Sequence, residues 1–166
     1  GYPKLQKALQ ELIKNKLTTV QRLELRNDYF SDGDALKGVL KADMENIRAT
    51  LEKINENVFE DVVKSIFEAK RIYIIGLRSS TALSEFLGFY LNIILQNVKV
   101  VSYGISDVFE QMINVSEGDL VIGIGFPRYA AKTIDALAFS QDRGAKVVAL
   151  TDSLIPPLAT QADYTL

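Results

Sequence analysis

The chain has 166 residues, enough for one ordinary domain with a buried core, and its 48% hydrophobic and 24% charged composition is that of a globular protein rather than a disordered one. The formal charge is −2, with acids and bases balanced in the first 70 residues and a slight acidic surplus after them, which excludes the basic footprint that binding to a nucleic-acid backbone draws on. Neither cysteine nor histidine occurs, which removes disulfides, thiolate and imidazole catalysis and the usual metal ligands, and leaves any proton transfer to Asp, Glu, Lys or Tyr.

In chain order, YPKLQKALQELIKNKL places Leu5, Leu9, Leu12 and Ile13 at helical spacing. Residues 18–34 carry no clear period and read as a linker or strap that ends in a turn around Asp32, Gly33 and Asp34. From Ala35 the pattern is helical, with Met44, Ile47, Leu51, Ile54, Val58, Val62 and Ile66 stepping by three or four along one stripe. A break near Asn55 to Asn57 divides it into two helices, with Asn57 the expected N-cap and Glu60 three residues on.

From Arg71 onward strands and helices alternate. RIYIIG, VKVVSYG, DLVIGIG, AKVVALT and ADYTL are short β-branched runs, and helical patterns occupy about residues 80–96, 106–115 and 129–143. This alternation predicts an α/β fold, a parallel doubly wound sheet with helices on both faces. The helix TALSEFLGFYLNIILQ is apolar on nearly every side, through Leu83, Phe86, Leu87, Phe89, Tyr90, Leu91, Ile93, Ile94 and Leu95, so a second side needs a cover. Another copy of the chain and the stripe of residues 35–66 are both open as that cover. The start of the chain lacks a signal-peptide layout and no run of 18 apolar residues offers a membrane span, so a cytoplasmic protein without membrane contact is expected.

Ligands of such sheets sit beyond the carboxyl ends of the strands. The turn after the first strand contributes Gly76, Arg78, Ser79, Ser80 and Thr81, and a helix start with a cation and hydroxyls suits a phosphate or carboxylate. Taken alone, this loop needs no more than a helix cap and a solvated arginine. The turn after the third strand repeats the arrangement with Gly125, Phe126, Arg128, Tyr129, Lys132 and Thr133, and two such loops on neighbouring strands favour an anion site. Glu85, one helical turn beyond Thr81, and Thr151, in the hydroxyl-and-acid pair LTDS after the fourth strand, are minor candidates at the same edge. A dinucleotide site is a poor rival, because the first loop reads G-L-R-S-S-T instead of G-x-G-x-x-G and no P-loop motif occurs.

IYIIGLRSSTALS, GDLVIGIGFPRYAAKTIDAL and AKVVALTDS with PLATQADYTL together resemble a sugar isomerase (SIS) domain, and specifically the sensor half of RpiR-type bacterial transcriptional regulators, over about residues 45–166. FPRY at 126–129 is the most specific of these motifs. The opening GYPKLQKAL resembles the last helix of that family's N-terminal helix-turn-helix domain, which implies a chain without most of that domain, residues 1–34 being its tail and linker and residues 35–166 the phosphosugar-binding domain.

The resemblance implies a three-layer α/β/α flavodoxin-like fold with an N-terminal helical extension. It also implies a homodimer or higher homo-oligomer that senses a phosphorylated sugar or amino sugar without catalysis, cofactor or metal, and that reaches DNA only through the helix-turn-helix domain. The family's phosphate-binding serine corresponds to Ser80, beside Thr81, while a glycine of its G-x-G-x-S loop is replaced by Arg78. Three hydroxyl positions of the other phosphate loop are occupied by Gly125, Pro127 and Ala130. Arg78 and Arg128 then take over the phosphate, or the ligand is a different anion, or there is none. The rival within the same fold is an aldose-ketose phosphate isomerase, for which Glu85, Glu110 or a residue of a second copy would have to supply the base, and a third reading is a module for assembly alone.

Overall fold

The computed structural model describes residues 35–104, 106–152 and 157–166; residues 1–34, with the expected first helix and strap, residue 105 and residues 153–156 lie outside the description. The chain divides into two compact units at Ile54/Asn55. In the first, α1 spans Ala35–Lys53, and its stripe Leu36, Leu40, Met44, Ile47 and Leu51 is exposed.

The second unit opens with α2, Glu56–Glu68. Its N-cap is Asn55, not Asn57 as the sequence suggested: the Asn55 carboxamide oxygen accepts from the N–H groups of Asn57 (3.1 Å) and Val58 (3.3 Å), which places Asn57 inside the first turn. Strands β1 (Ile72–Ile75), β2 (Val98–Val101), β3 (Leu120–Ile124), β4 (Lys146–Leu150) and β5 (Tyr164–Thr165) follow, and between them lie α3 (Thr81–Ile94), α4 (Val108–Gln111) and α5 (Ala131–Asp142). Short 3-10 turns occupy Arg78–Ser80 and Ala159–Gln161.

All strand pairs are parallel and the order is β2-β1-β3-β4-β5. This is the flavodoxin-like arrangement, in which the chain leaves β1 toward one edge and returns to build β3, β4 and β5 toward the other. The crevice at that reversal lies between the carboxyl ends of β1 and β3, where Ile75 pairs with Gly123.

Alternate residues of each strand feed opposite cores, because successive side chains point to opposite faces. Ile72, Ile74, Leu120, Ile122, Ile124 and Val148 pack with Val62 of α2 and with Leu87 and Leu91 of α3. Tyr73, Ile75, Val101, Val121, Val147 and Ala149 pack with Met112, Ala136 and Leu137 on the other face. Burial on both faces explains why these strands read as continuous apolar runs.

Helix α3 lies tight on β2, since a Cβ at Gly88 would stand 2.1 Å from Val100 Cγ2. Its outer stripe, Leu83, Phe86, Phe89, Tyr90, Ile93 and Ile94, is exposed. Helix α4 is only one turn long where the sequence suggested ten residues. It opens with an Asp107/Glu110 capping box, and the carbonyls that follow are taken by cations: Lys99 Nζ donates to Gln111 O, Arg143 Nη1 to Ile113 O and Arg71 Nη2 to Asn114 O.

At the amino ends of β1 and β3, Arg71 grips the fully buried Asp119 carboxylate through Nε (3.1 Å) and Nη2 (2.8 Å), and Ser116 N–H donates to the same carboxylate at 2.9 Å. This clip closes the end of the sheet opposite the crevice. It also holds the Arg71 guanidinium above its ordinary range.

Candidate functional site

The loop after β1 needs a glycine at 76, because a Cβ there would meet the Ser80 carbonyl oxygen at 2.6 Å. The chain then enters the left-handed region at Arg78 (φ 61°), turns through the 3-10 segment Arg78–Ser80 and starts α3 at Thr81. No side chain caps either the 3-10 turn or α3. Among the described residues none forms an ion pair with Arg78, which is exposed, whereas Ser80 is buried.

The loop after β3 repeats this design on the neighbouring strand. Gly125 N–H donates to Leu150 O at 3.1 Å, and a Cβ at Gly125 would stand 2.9 Å from Leu158 Cδ2. Leu158 fills the space that a larger side chain at this position would need. Pro127 is followed by Arg128 at φ 71°, the sequence of a proline and a left-handed residue that type II turns favour, with glycine as the usual occupant of the second place. Helix α5 then starts after Ala130 without a side-chain cap.

Helices α2 and α4 are capped by Asn55 and Asp107, whereas neither helix that opens on the crevice has a side-chain cap. Both helices start at the same end of the sheet, and the partial positive charge of a helix start suits an anion. Thr133, in the first turn of α5, is 1% exposed and its Oγ1 has no hydrogen-bond partner. A buried hydroxyl without a partner is rare and calls for an occupant.

The loops enclose an open cavity of about 140 Å³, lined by Arg78, Ser79 and Ser80 from the first and by Gly125, Phe126, Pro127, Arg128, Ala130 and Thr133 from the second, with Leu77 and Ile124 at the strand ends. Seven of the site residues named from the sequence therefore share one cavity. Gly76 and Thr81 flank the first loop without lining it, and Glu85 is exposed on α3.

Lys132 is engaged elsewhere. Its ammonium pairs with Asp107, which raises the lysine's pKa and holds the carboxyl below its usual range, helped by the Phe109 N–H. Tyr129 lies with its ring against the core and donates its hydroxyl to Asp152 Oδ1 at 2.6 Å, while Thr151 Oγ1 lies 3.4 Å from the same oxygen. Burial, then the Asp152 hydrogen bond, push the Tyr129 phenol up to about 12. Asp152 as Tyr129's partner had no sequence signal beyond its place in LTDS, since the two are 23 residues apart. No helix among the described residues is long and apolar enough to cross a membrane.

Residues 65–166 match the SIS domain family. An HTH-type transcriptional regulator of Haemophilus influenzae is 30% identical over 124 residues, covering 70% of this chain, and the chain spans 40% of the length of that relative. Among solved structures, the sugar isomerase domain of the RpiR transcription factor from Sphaerobacter thermophilus is 33% identical with a TM-score of 0.77, over 81% of this chain and 75% of that one. The Vibrio vulnificus NanR protein, solved with ManNAc-6P, shares the fold at 21% identity and a TM-score of 0.69, over 91% of this chain and 57% of that one.

Proposed function

Because the chain belongs to the SIS domain family, we propose that the cavity between β1 and β3 seats the phosphoryl group of a sugar or amino-sugar phosphate, and that the domain is the sensing and dimerising part of an RpiR-type transcriptional regulator. The observation that carries this reading is the convergence on one cavity of two uncapped helix starts, two arginines in left-handed backbone and the orphan hydroxyl of Thr133. Arg78 stands where the resemblance expects glycine, Arg128 lies in the loop whose expected hydroxyl positions are Gly125, Pro127 and Ala130, and guanidinium groups bind phosphate through strong, charge-assisted hydrogen bonds. The NanR structure, which shares this fold, was solved with a phosphosugar and agrees with that ligand class.

A cavity of about 140 Å³ is smaller than the several hundred Å³ of pockets that enclose a whole small molecule, so it seats the phosphoryl group and leaves the sugar along its rim. The domain binds without turnover. Of the two carboxylates that an isomerase could have recruited, Glu110 accepts the Asp107 N–H in its capping box at 3.1 Å, and Glu85 is exposed. Contact with DNA belongs to the helix-turn-helix domain that regulators of this type carry, with residues 1–34 as its tail and linker, and the protein acts in the cytoplasm.

Dimerisation runs through the exposed apolar stripe of α3, whose Phe86 is 65% exposed. Phe86→Glu is expected to yield monomers in sedimentation equilibrium; a wild-type monomer at micromolar concentration would remove this part. For the ligand, thermal shift with hexose, pentose and amino-sugar phosphates gives a rise for at least one of them, worth about 2.7 kcal/mol at a hundredfold excess over Kd. The rise is lost in Arg78→Ala and Arg128→Ala. Isomerisation of the bound sugar would convert the reading to an enzyme, and no response at millimolar ligand would leave assembly alone.

A further inference from the structure

At the end of β4, beside the cavity but outside its lining, lies a polar pair that seating a phosphate does not use. Ile124 of β3 pairs with Leu150 of β4, and Gly125 N–H donates to Leu150 O, so Thr151 and Asp152 run beside Gly125 and Phe126 at the same sheet edge. Tyr129 ties this strand end to the arginine loop. Its ring passes close over Gly125, 3.5 Å from where a Cβ would stand, and its hydroxyl meets Asp152 Oδ1 at 2.6 Å. The carboxylate is thereby held by Tyr129, the residue that follows Arg128, beside the loop that lines the cavity.

We infer that Asp152, oriented by Tyr129, is the specificity element of the site: it accepts a neutral hydroxyl or an ammonium of the sugar and turns away ligands with a second anionic group. This rests on the phosphosugar reading above. An ionised carboxylate has about four lone-pair positions, so the hydrogen bond from Tyr129 leaves it able to accept from a ligand. Hydroxyl-to-carboxylate hydrogen bonds are charge-assisted and strong. Conversely, a negative charge held at the rim of a cationic cup repels a bisphosphate or a phosphorylated sugar acid while leaving the seated phosphoryl group to the arginines, and like charges brought together are the common means of rejecting a wrong partner. Tyr129 is the positioning residue, with its phenol kept protonated and donating across the ordinary pH range.

Calorimetric titration of the whole chain, wild type, Asp152→Asn, Asp152→Ala and Tyr129→Phe, with inorganic phosphate, glucosamine 6-phosphate, glucose 6-phosphate and fructose 1,6-bisphosphate tests this. Asp152 is exposed and Tyr129→Phe keeps the ring, so the variants are expected to fold, which circular dichroism checks. Inorganic phosphate is expected to bind all four proteins within about twofold. The better sugar monophosphate loses about 10- to 100-fold in Asp152→Ala, the span of one charged hydrogen bond, and a smaller factor in Tyr129→Phe. The bisphosphate gains about tenfold in Asp152→Asn. If the ratio of monophosphate to inorganic phosphate affinity is unchanged in both Asp152 variants, the inference is overturned while the phosphoryl site stands. If wild type binds neither inorganic phosphate nor any sugar phosphate, the phosphosugar reading fails and this inference falls with it.

Discussion

Arg78→Gly separates the needs of the ligand from those of the fold, because the two effects have opposite signs. Arg78 sits at φ 61°, at the start of the 3-10 turn that leads into α3, with no ion pair among the described residues. Left-handed backbone costs a non-glycine residue about 1–2 kcal/mol. A cation at a helix N-terminus costs about 0.3–1 kcal/mol more, while glycine gives back about 0.5–1 kcal/mol through the entropy of its unfolded chain. The balance is about 1 kcal/mol in favour of the glycine variant, or about 2–4 °C in Tm for a chain of this size. The ligand-free variant should therefore melt higher than wild type in calorimetry. The same variant should bind its phosphosugar about 10- to 100-fold more weakly, since a charged hydrogen bond contributes about 1.5–3 kcal/mol. Arg78→Ala is the control: it loses the same affinity but keeps the backbone strain, so its Tm rises less. A lower ligand-free Tm in Arg78→Gly, or unchanged affinity, would refute the argument that this arginine is retained for an anion at the expense of stability.

Thr133→Val should leave the ligand-free Tm unchanged or higher, because it removes a buried hydroxyl without a partner at nearly constant shape, and should weaken phosphosugar binding in calorimetric titration. Gly125→Ser, which restores the family's hydroxyl, should cost about 1–3 kcal/mol in urea unfolding through overpacking against Leu158; the penalty should vanish in a Leu158→Ala background, and strict additivity of the two changes would rule out that contact as its cause. Ultraviolet difference titration should find one tyrosine ionising near pH 12 that disappears in Tyr129→Phe. The native state keeps that proton after unfolded tyrosine has begun to release its own near pH 10, so the stability it contributes is present below pH 10 and lost as pH rises through 12. With no histidine in the chain, phosphosugar binding between pH 5 and 8 should weaken only below about pH 6, where the ligand's own phosphate gains a proton, and a midpoint elsewhere would point to a titrating group in the site.

The alternation of strand and helix, the parallel sheet and the two loops at the site were legible in the amino-acid sequence, since each is a local signal. Period-two and period-3.6 patterns depend on neighbours a few residues apart, and a glycine before a helix start marks a turn wherever it occurs. That locality has limits within a few residues, as the cap at Asn55 instead of Asn57 makes plain: two asparagines of equal propensity compete, and backbone geometry chooses. What only the tertiary structure decided is which cations and hydroxyls are available at the cavity. Lys132 and Arg128 look equivalent along the chain, yet only Arg128 lines the cavity, and the Lys132 ammonium reaches Asp107, 25 residues away. Arg78 and Arg128 belong to a residue type that avoids positive φ, so their backbone conformation is set by closure of the loops between strand and helix and cannot be read from propensity. The hydroxyl of Thr133 lacks a partner, and that of Tyr129 has one in Asp152, because packing across β3, β4 and α5 brings some residues together and isolates others. Sequence spacing carries the period of an element; pairings between elements depend on distances that exist only once the sheet has closed.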